Sequence, residues 1–167
     1  MYNSNINPAL FVTMAISNWD LQNDRLQSLL ATLTDEQLAQ HTAPGRNTGT
    51  YLVGHLAAVH DAMLPILGFR ETIYPELKEV FIDKAENNSL TYPSLGELRS
   101  NLKEVTTSLQ KYCESLPAEA WFSRHTAISE EAFVKEPHRN KLNILLNRAC
   151  HLSYHLGQLA FLNPRNK

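Results

Sequence analysis

The chain has 167 residues, 43% of them hydrophobic, and a formal net charge of −2, which suits one domain, residues 1–167, around a single sizeable core. No run approaches the ~18 consecutive apolar residues of a membrane span, and the charge gives no electrostatic reason to expect nucleic acid or a membrane surface as partner. Two cysteines, Cys113 and Cys150, are too few for a disulfide framework, and "MYNSNINPALF" lacks a basic, then apolar, leader, so a reduced cytoplasmic setting is expected.

In chain order, the first helix is expected from about Pro8 to Leu33, with Pro8 in its first turn and Leu26, Leu29, Leu30 and Leu33 on one face. Thr34 with Gln37 forms a capping-box pattern that opens a short helix in "DEQLAQ". "HTAPGRNTG" reads as a loop. A second long helix starts near Thr48 and runs through "YLVGHLAAVHDAMLPILGF", with Pro65 kinking or ending it. "RETIYPELKEVFIDKAENNSLTYP" is mixed, with a helical turn or two after Pro75. Ser94 with Glu97 opens a third long helix, about Leu95 to Leu116. "PAEAWF" is a separate turn, and "SRHTAISEEAFVKEPHRN" is expected as a long loop. A fourth long helix spans about Lys141 to Leu162 and stops at Asn163 and Pro164. Nothing alternates with period two, so the expected class is all-α, a four-helix bundle with a long loop before its last helix.

The last helix carries the chemistry. At 100° per residue, with Asn147 at zero, His151 lies at about 40°, His155 at about 80° and Gln158 at about 20°. One wedge thus gathers four polar side chains, opposite an apolar stripe of Leu142, Leu145, Ala149, Leu152, Leu156 and Ala160. Arg148 is the one charged residue between Leu142 and Leu162, so both faces are expected inside the bundle. Unpartnered imidazoles and amides there would cost roughly 1–3 kcal/mol each. On the second long helix, His55 shares the core-facing stripe with Tyr51, Leu52, Val59, Ala62, Met63 and Ile66, whereas His60 falls about 140° away. A divalent metal would account for His55, His151 and His155 together: histidines four apart stack on one helix side, and three imidazoles leave coordination positions open for water or substrate. Taken alone, the His151–His155 pair or His55 reads more readily as satisfied core histidines than as ligands.

"HLSYHLGQL" resembles the His-x-x-Tyr-His-x-Gly-Gln signature of DinB-like (DinB/YfiT) proteins, and "TYLVGHLAAVHD" resembles their second-helix segment with a single histidine in Gly-His-Leu/Ile. Helix lengths and overall size fit along nearly the whole chain. The resemblance implies a four-helix bundle, often dimeric, with a divalent metal ion on His55, His151 and His155; nickel, zinc and iron all suit imidazole. Leu156 occupies a position that is often basic in the family, which alters what lines the site without touching the ligands.

Relatives include thiol-dependent enzymes such as bacillithiol transferases and mycothiol-dependent isomerases. The first functional expectation is therefore a metal-dependent thiol S-transferase. It would lower the pKa of a low-molecular-weight thiol and present the thiolate to an electrophilic small molecule, with Asn147, Tyr154 and Gln158 as orienting groups. The second is a metal-dependent hydrolase using metal-bound hydroxide, for which Glu130, Glu131 or Glu136 of the last loop would have to fold over the site as general base. The third is a non-enzymatic, stress-associated metal-binding protein, dimeric through its first two helices. Asp61 is expected to face solvent, as are the loop histidines His41, His125 and His138, with His138 able to approach the site mouth. Cys150 is expected as a small buried hydrophobe, Cys113 as an unactivated thiol, and Trp19 and Trp121 as packing anchors. No general acid, base or nucleophile is assigned.

Overall fold

The computed structural model describes residues 7–87 and 89–164; residues 1–6, on which the reading of the N-terminus partly rests, lie outside them. Four long helices dominate: α1 (Pro8–Thr32), α3 (Gly49–Ile66), α5 (Leu95–Ser115) and α7 (Lys141–Ala160). Short helices α2 (Asp35–Leu38), α4 (Glu76–Phe81) and α6 (Glu130–Lys135), and a 3-10 turn at Ala118–Phe122, sit between them. No strand occurs among the described residues, so the architecture is all-α.

The helices begin where local chemistry says they should. The Asn7 side chain accepts from the Ala9 amide at 3.0 Å, just ahead of Pro8. Both capping boxes form, Thr34 with Gln37 and Ser94 with Glu97, each satisfying two amides that a helix start leaves unpaired. Asn140 likewise caps α7 through the Asn143 amide at 2.9 Å.

α3 is the central helix: 13 of its 18 residues are buried, from Tyr51 and Leu52 to Met63 and Leu64. An element apolar on nearly every side has to be enclosed, and α1, α4, α5 and α7 do so. α1 buries one face (Val12, Ala15, Trp19, Leu26, Leu30), and α5 buries Leu98, Leu102, Val105, Leu109 and Cys113. Trp19 and Trp121 are fully buried anchors. Pro65 falls in the last turn of α3 and ends the helix one residue later, where Gly68 takes a left-handed φ of 74°.

Four expectations need correction. The stretch 123–140 is not an open loop: α6 forms inside it, and its ends are tied down. The Thr126 amide donates to Ile66 O at 3.0 Å, and the Lys141 amide donates to Ser123 O at 3.1 Å. Asp61 is buried rather than solvated, because its carboxylate accepts from the Ile73 and Tyr74 amides at 2.7 and 2.8 Å. His125 is buried too, and its Nδ1 accepts from the Ala127 amide at 3.2 Å. Conversely Cys150 is exposed, while Cys113 is buried and its thiol is pushed up to about 12 by that burial. His41 and His138 are exposed, as expected.

Candidate metal centre

α3 and α7 run antiparallel, which brings His55 opposite His151 and His155. The His55 and His151 Nε2 atoms are 3.1 Å apart, as are those of His151 and His155. One ligand atom from each ring lies within 4.8 Å of the other two. His55 and His151 are half-buried and His155 is buried.

Two of the rings are oriented from behind. His55 Nδ1 is 2.7 Å from the Phe81 carbonyl, and His155 Nδ1 is 2.7 Å from Gln158 Oε1. Both oxygens only accept, so both Nδ1 atoms carry the proton, and in the neutral ring each Nε2 presents a lone pair. His151 Nε2 can donate to one of those lone pairs at most. The other Nε2 lone pair is then left without a donor, and His151 Nδ1 is buried without a partner. No assignment of protons to three neutral rings satisfies every nitrogen. A cation at the centre would engage all three Nε2 lone pairs, leaving only His151 Nδ1 without a partner.

Electrostatics keeps the rings neutral. Burial pushes His151 down to about 4, with His155, His55 and Arg148 adding to the effect. Burial also lowers His55 and His155, partly offset by the hydrogen bonds to Phe81 and Gln158 respectively. A neutral imidazole is the form that binds a metal. At a bond length of about 2.1 Å, two nitrogens 3.1 Å apart subtend about 95° at an ion, as adjacent ligands on one face do. The donor set therefore fits a divalent transition metal with positions left open.

The other expected site residues divide. Gln158 reaches His155 as described, and its Nε2 donates to the Tyr154 hydroxyl at 3.3 Å. Tyr154 is 63% exposed and lies edge-on to the His155 ring at 5.1 Å between centroids. Asn147 is exposed, so the polar wedge of α7 straddles the rim of the bundle instead of sinking wholly inside it. Glu130, Glu131 and Glu136 are exposed on the segment pinned to the far end of α3. Ile66 lies eleven residues past His55, about 16 Å along the helix, and none of these carboxylates belongs to the histidine cluster.

The mixed stretch after Ile66 covers the triad. α4 brings in the Phe81 carbonyl, Tyr51 hydroxyl donates to Lys84 O at 2.8 Å, and the Thr48 amide donates to Glu86 at 2.8 Å. Gly54 permits this approach, since a Cβ there would meet the Phe81 ring. Sequence reasoning missed Phe81 because a backbone carbonyl has no residue signature. The nearest signal is a glycine in the middle of an apolar helix. His60 is separate from the triad: it is buried against Trp19 at 4.7 Å, and that burial pushes it down to about 3.

Comparison with known proteins agrees with this architecture. A crystal structure of a conserved protein from Enterococcus faecalis superposes with a TM-score of 0.62 at 16% identity, covering 90% of this chain and 93% of that one. That is a likeness of fold. No curated protein matches the chain. The family model for the DinB superfamily matches residues 18–159, a span that contains all three histidines. On that match the chain belongs to the DinB superfamily.

Proposed function

We propose that His55, His151 and His155 hold a divalent metal ion, nickel, zinc or iron, and that the protein is a metal-dependent enzyme acting on a low-molecular-weight thiol and an electrophilic small molecule. The observation that carries this reading is the convergence of three Nε2 atoms whose hydrogen bonding cannot be completed by the rings themselves. An ion held there supplies Lewis acidity that lowers a thiol's pKa. The protein's part is to fix the ligands. The Phe81 carbonyl and Gln158 lock two rings in one tautomer, which raises their basicity and keeps their lone pairs aimed inward. Tyr154, linked to Gln158 and exposed, is a hydrogen-bond donor at the rim for an arriving substrate. Asn147, also at the rim, would orient it from the next turn.

The thiol reading is favoured over hydrolysis by the surroundings of the triad. A hydrolase wants a general base near the attacking water, and the carboxylates Glu130, Glu131 and Glu136 lie on the segment bound to the other end of α3. Two free cysteines suit a reducing, cytoplasmic setting. A homodimer is supported by Leu10, Phe11, Met14 and Leu21, exposed apolar residues along α1.

Elemental analysis of the purified protein against His55→Ala, His151→Ala and His155→Ala tests the centre. Stoichiometric metal in the wild type and its loss in each variant is expected. Thiol consumption by the metal-loaded protein in the presence of an electrophile tests the activity. Metal retained with no turnover of any cellular thiol would leave a non-enzymatic metal-binding protein.

A further inference from the structure

Three imidazoles are neutral ligands, so an ion bound by them keeps its whole charge. No acidic residue belongs to the cluster. Beyond its first residue, the one acidic, lysine or arginine side chain on α7 is another cation. Arg148 lies on α7 one turn before His151, about 60° from it around the helix, and it is only partly exposed.

Its situation is unlike that of the other partly buried arginines. Arg99 donates to the Leu30 and Leu33 carbonyls at 2.7 and 3.0 Å, and Arg139 pairs with Glu136 at 3.1 Å. Among the described residues, Arg148 alone of these three has no hydrogen bond and no ion pair. Burial is the one influence on its own charge; no carboxylate acts on it. Seven residues before His155, Arg148 falls within about 20° of it around the helix, on the face of α7 that carries two of the three histidines. None of its nitrogens is sealed from solvent, so its N–H groups stay open to an acceptor that the protein itself does not supply. A fold that keeps a guanidinium there, next to a centre of the same sign, is arranged for an anion that arrives from outside.

We propose that Arg148 is an anion-recognition residue of this centre, and that the molecule brought to His55, His151 and His155 carries a carboxylate gripped by the Arg148 guanidinium. This rests on the metal reading above and narrows it. The substrate is an acidic small molecule, a carboxylate-bearing thiol or its carboxylate-bearing partner, rather than a neutral one. The planar fork of arginine matches a carboxylate in two parallel hydrogen bonds, which fixes the orientation of the reactive end as well as its affinity.

Calorimetric titration of acetate into the cobalt-loaded protein tests the residue without reference to turnover. Arg148→Gln is expected to weaken acetate binding about tenfold, as for loss of a charged hydrogen-bond partner, with metal content unchanged. Arg148→Lys, which keeps the charge and loses the fork, should fall between the two and serves if the glutamine variant does not fold. Acetate affinity equal in wild type and both variants would overturn the inference. A second arm follows the cobalt absorption spectrum with mercaptoacetate and mercaptoethanol. A preference for mercaptoacetate that collapses in Arg148→Gln puts the carboxylate on the thiol. Arg148-dependent acetate binding with no spectral response to either thiol upholds the inference and sinks the thiol reading alone.

Discussion

Replacing His151 by alanine should have opposite consequences with and without metal. His151 Nε2 sits 3.1 Å from two nitrogens that both present lone pairs, and its Nδ1 is buried without a partner. In the metal-free protein the ring therefore returns little stability for its burial. Its removal relieves one unsatisfied nitrogen, worth about 1–3 kcal/mol, against a comparable loss of packing for a half-buried side chain. The metal-free variant should lie within about 1 kcal/mol of metal-free wild type. With metal the balance reverses. An ion at a hundred times its dissociation constant stabilises the wild type by about 2.7 kcal/mol, which for a chain of 167 residues raises the melting temperature by about 5–10 °C. His151→Ala should show almost none of that rise. Differential scanning calorimetry of both proteins, first in chelator and then with excess zinc or nickel, reads all four states. A wild type whose melting temperature ignores metal, or a variant that keeps the full rise, would refute the reasoning. So would a metal-free variant several kcal/mol less stable than metal-free wild type, because that would make His151 an ordinary core residue.

Gln158→Ala leaves the three ligands in place but frees His155 to change tautomer, so metal affinity should drop by about 10–100-fold without vanishing, measured by competition with a chromophoric chelator. Gly54→Ala drives a Cβ into the Phe81 ring and should cost about 1–3 kcal/mol in urea denaturation; it should also weaken metal binding, because the same movement carries off the Phe81 carbonyl. His60 gives a pH signature in the metal-free protein. Its folded-state value is about 3 against an ordinary 6.5, so between those values the unfolded chain binds the extra proton. Stability is then fully present above pH 6.5 and lost as pH falls through that window, by at most about 1.4 kcal/mol per pH unit from this group. His60→Gln should flatten the acid limb of a stability–pH curve, and an unchanged slope would remove His60 as its source.

The sequence by itself determined the four long helices and most of their ends, because those depend on local chemistry. Capping at Asn7, Thr34, Ser94 and Asn140, the stop after Pro65 and the 3.6-residue apolar rhythm each act within a few residues. It also determined that His151 and His155 share a face, since four residues is just over one helical turn. What it could not decide depends on which elements meet. Asp61 looked solvated on the helical wheel and is buried, because the chain after α3 folds back and offers it two amides. Cys150 looked buried and is exposed, since the wheel ranks directions without knowing where neighbours stop. Whether Glu130, Glu131 and Glu136 fold over the site is likewise a tertiary matter: the Thr126 amide ties their segment to Ile66, and none of them joins the histidine cluster. The cover is α4, through a carbonyl of Phe81 that any residue at that position would present. Helix faces are set by short-range geometry along the chain. The meeting of His55 with His151 and His155, and the lack of a partner for Arg148, are set by the antiparallel packing of α3 on α7, which no local pattern encodes.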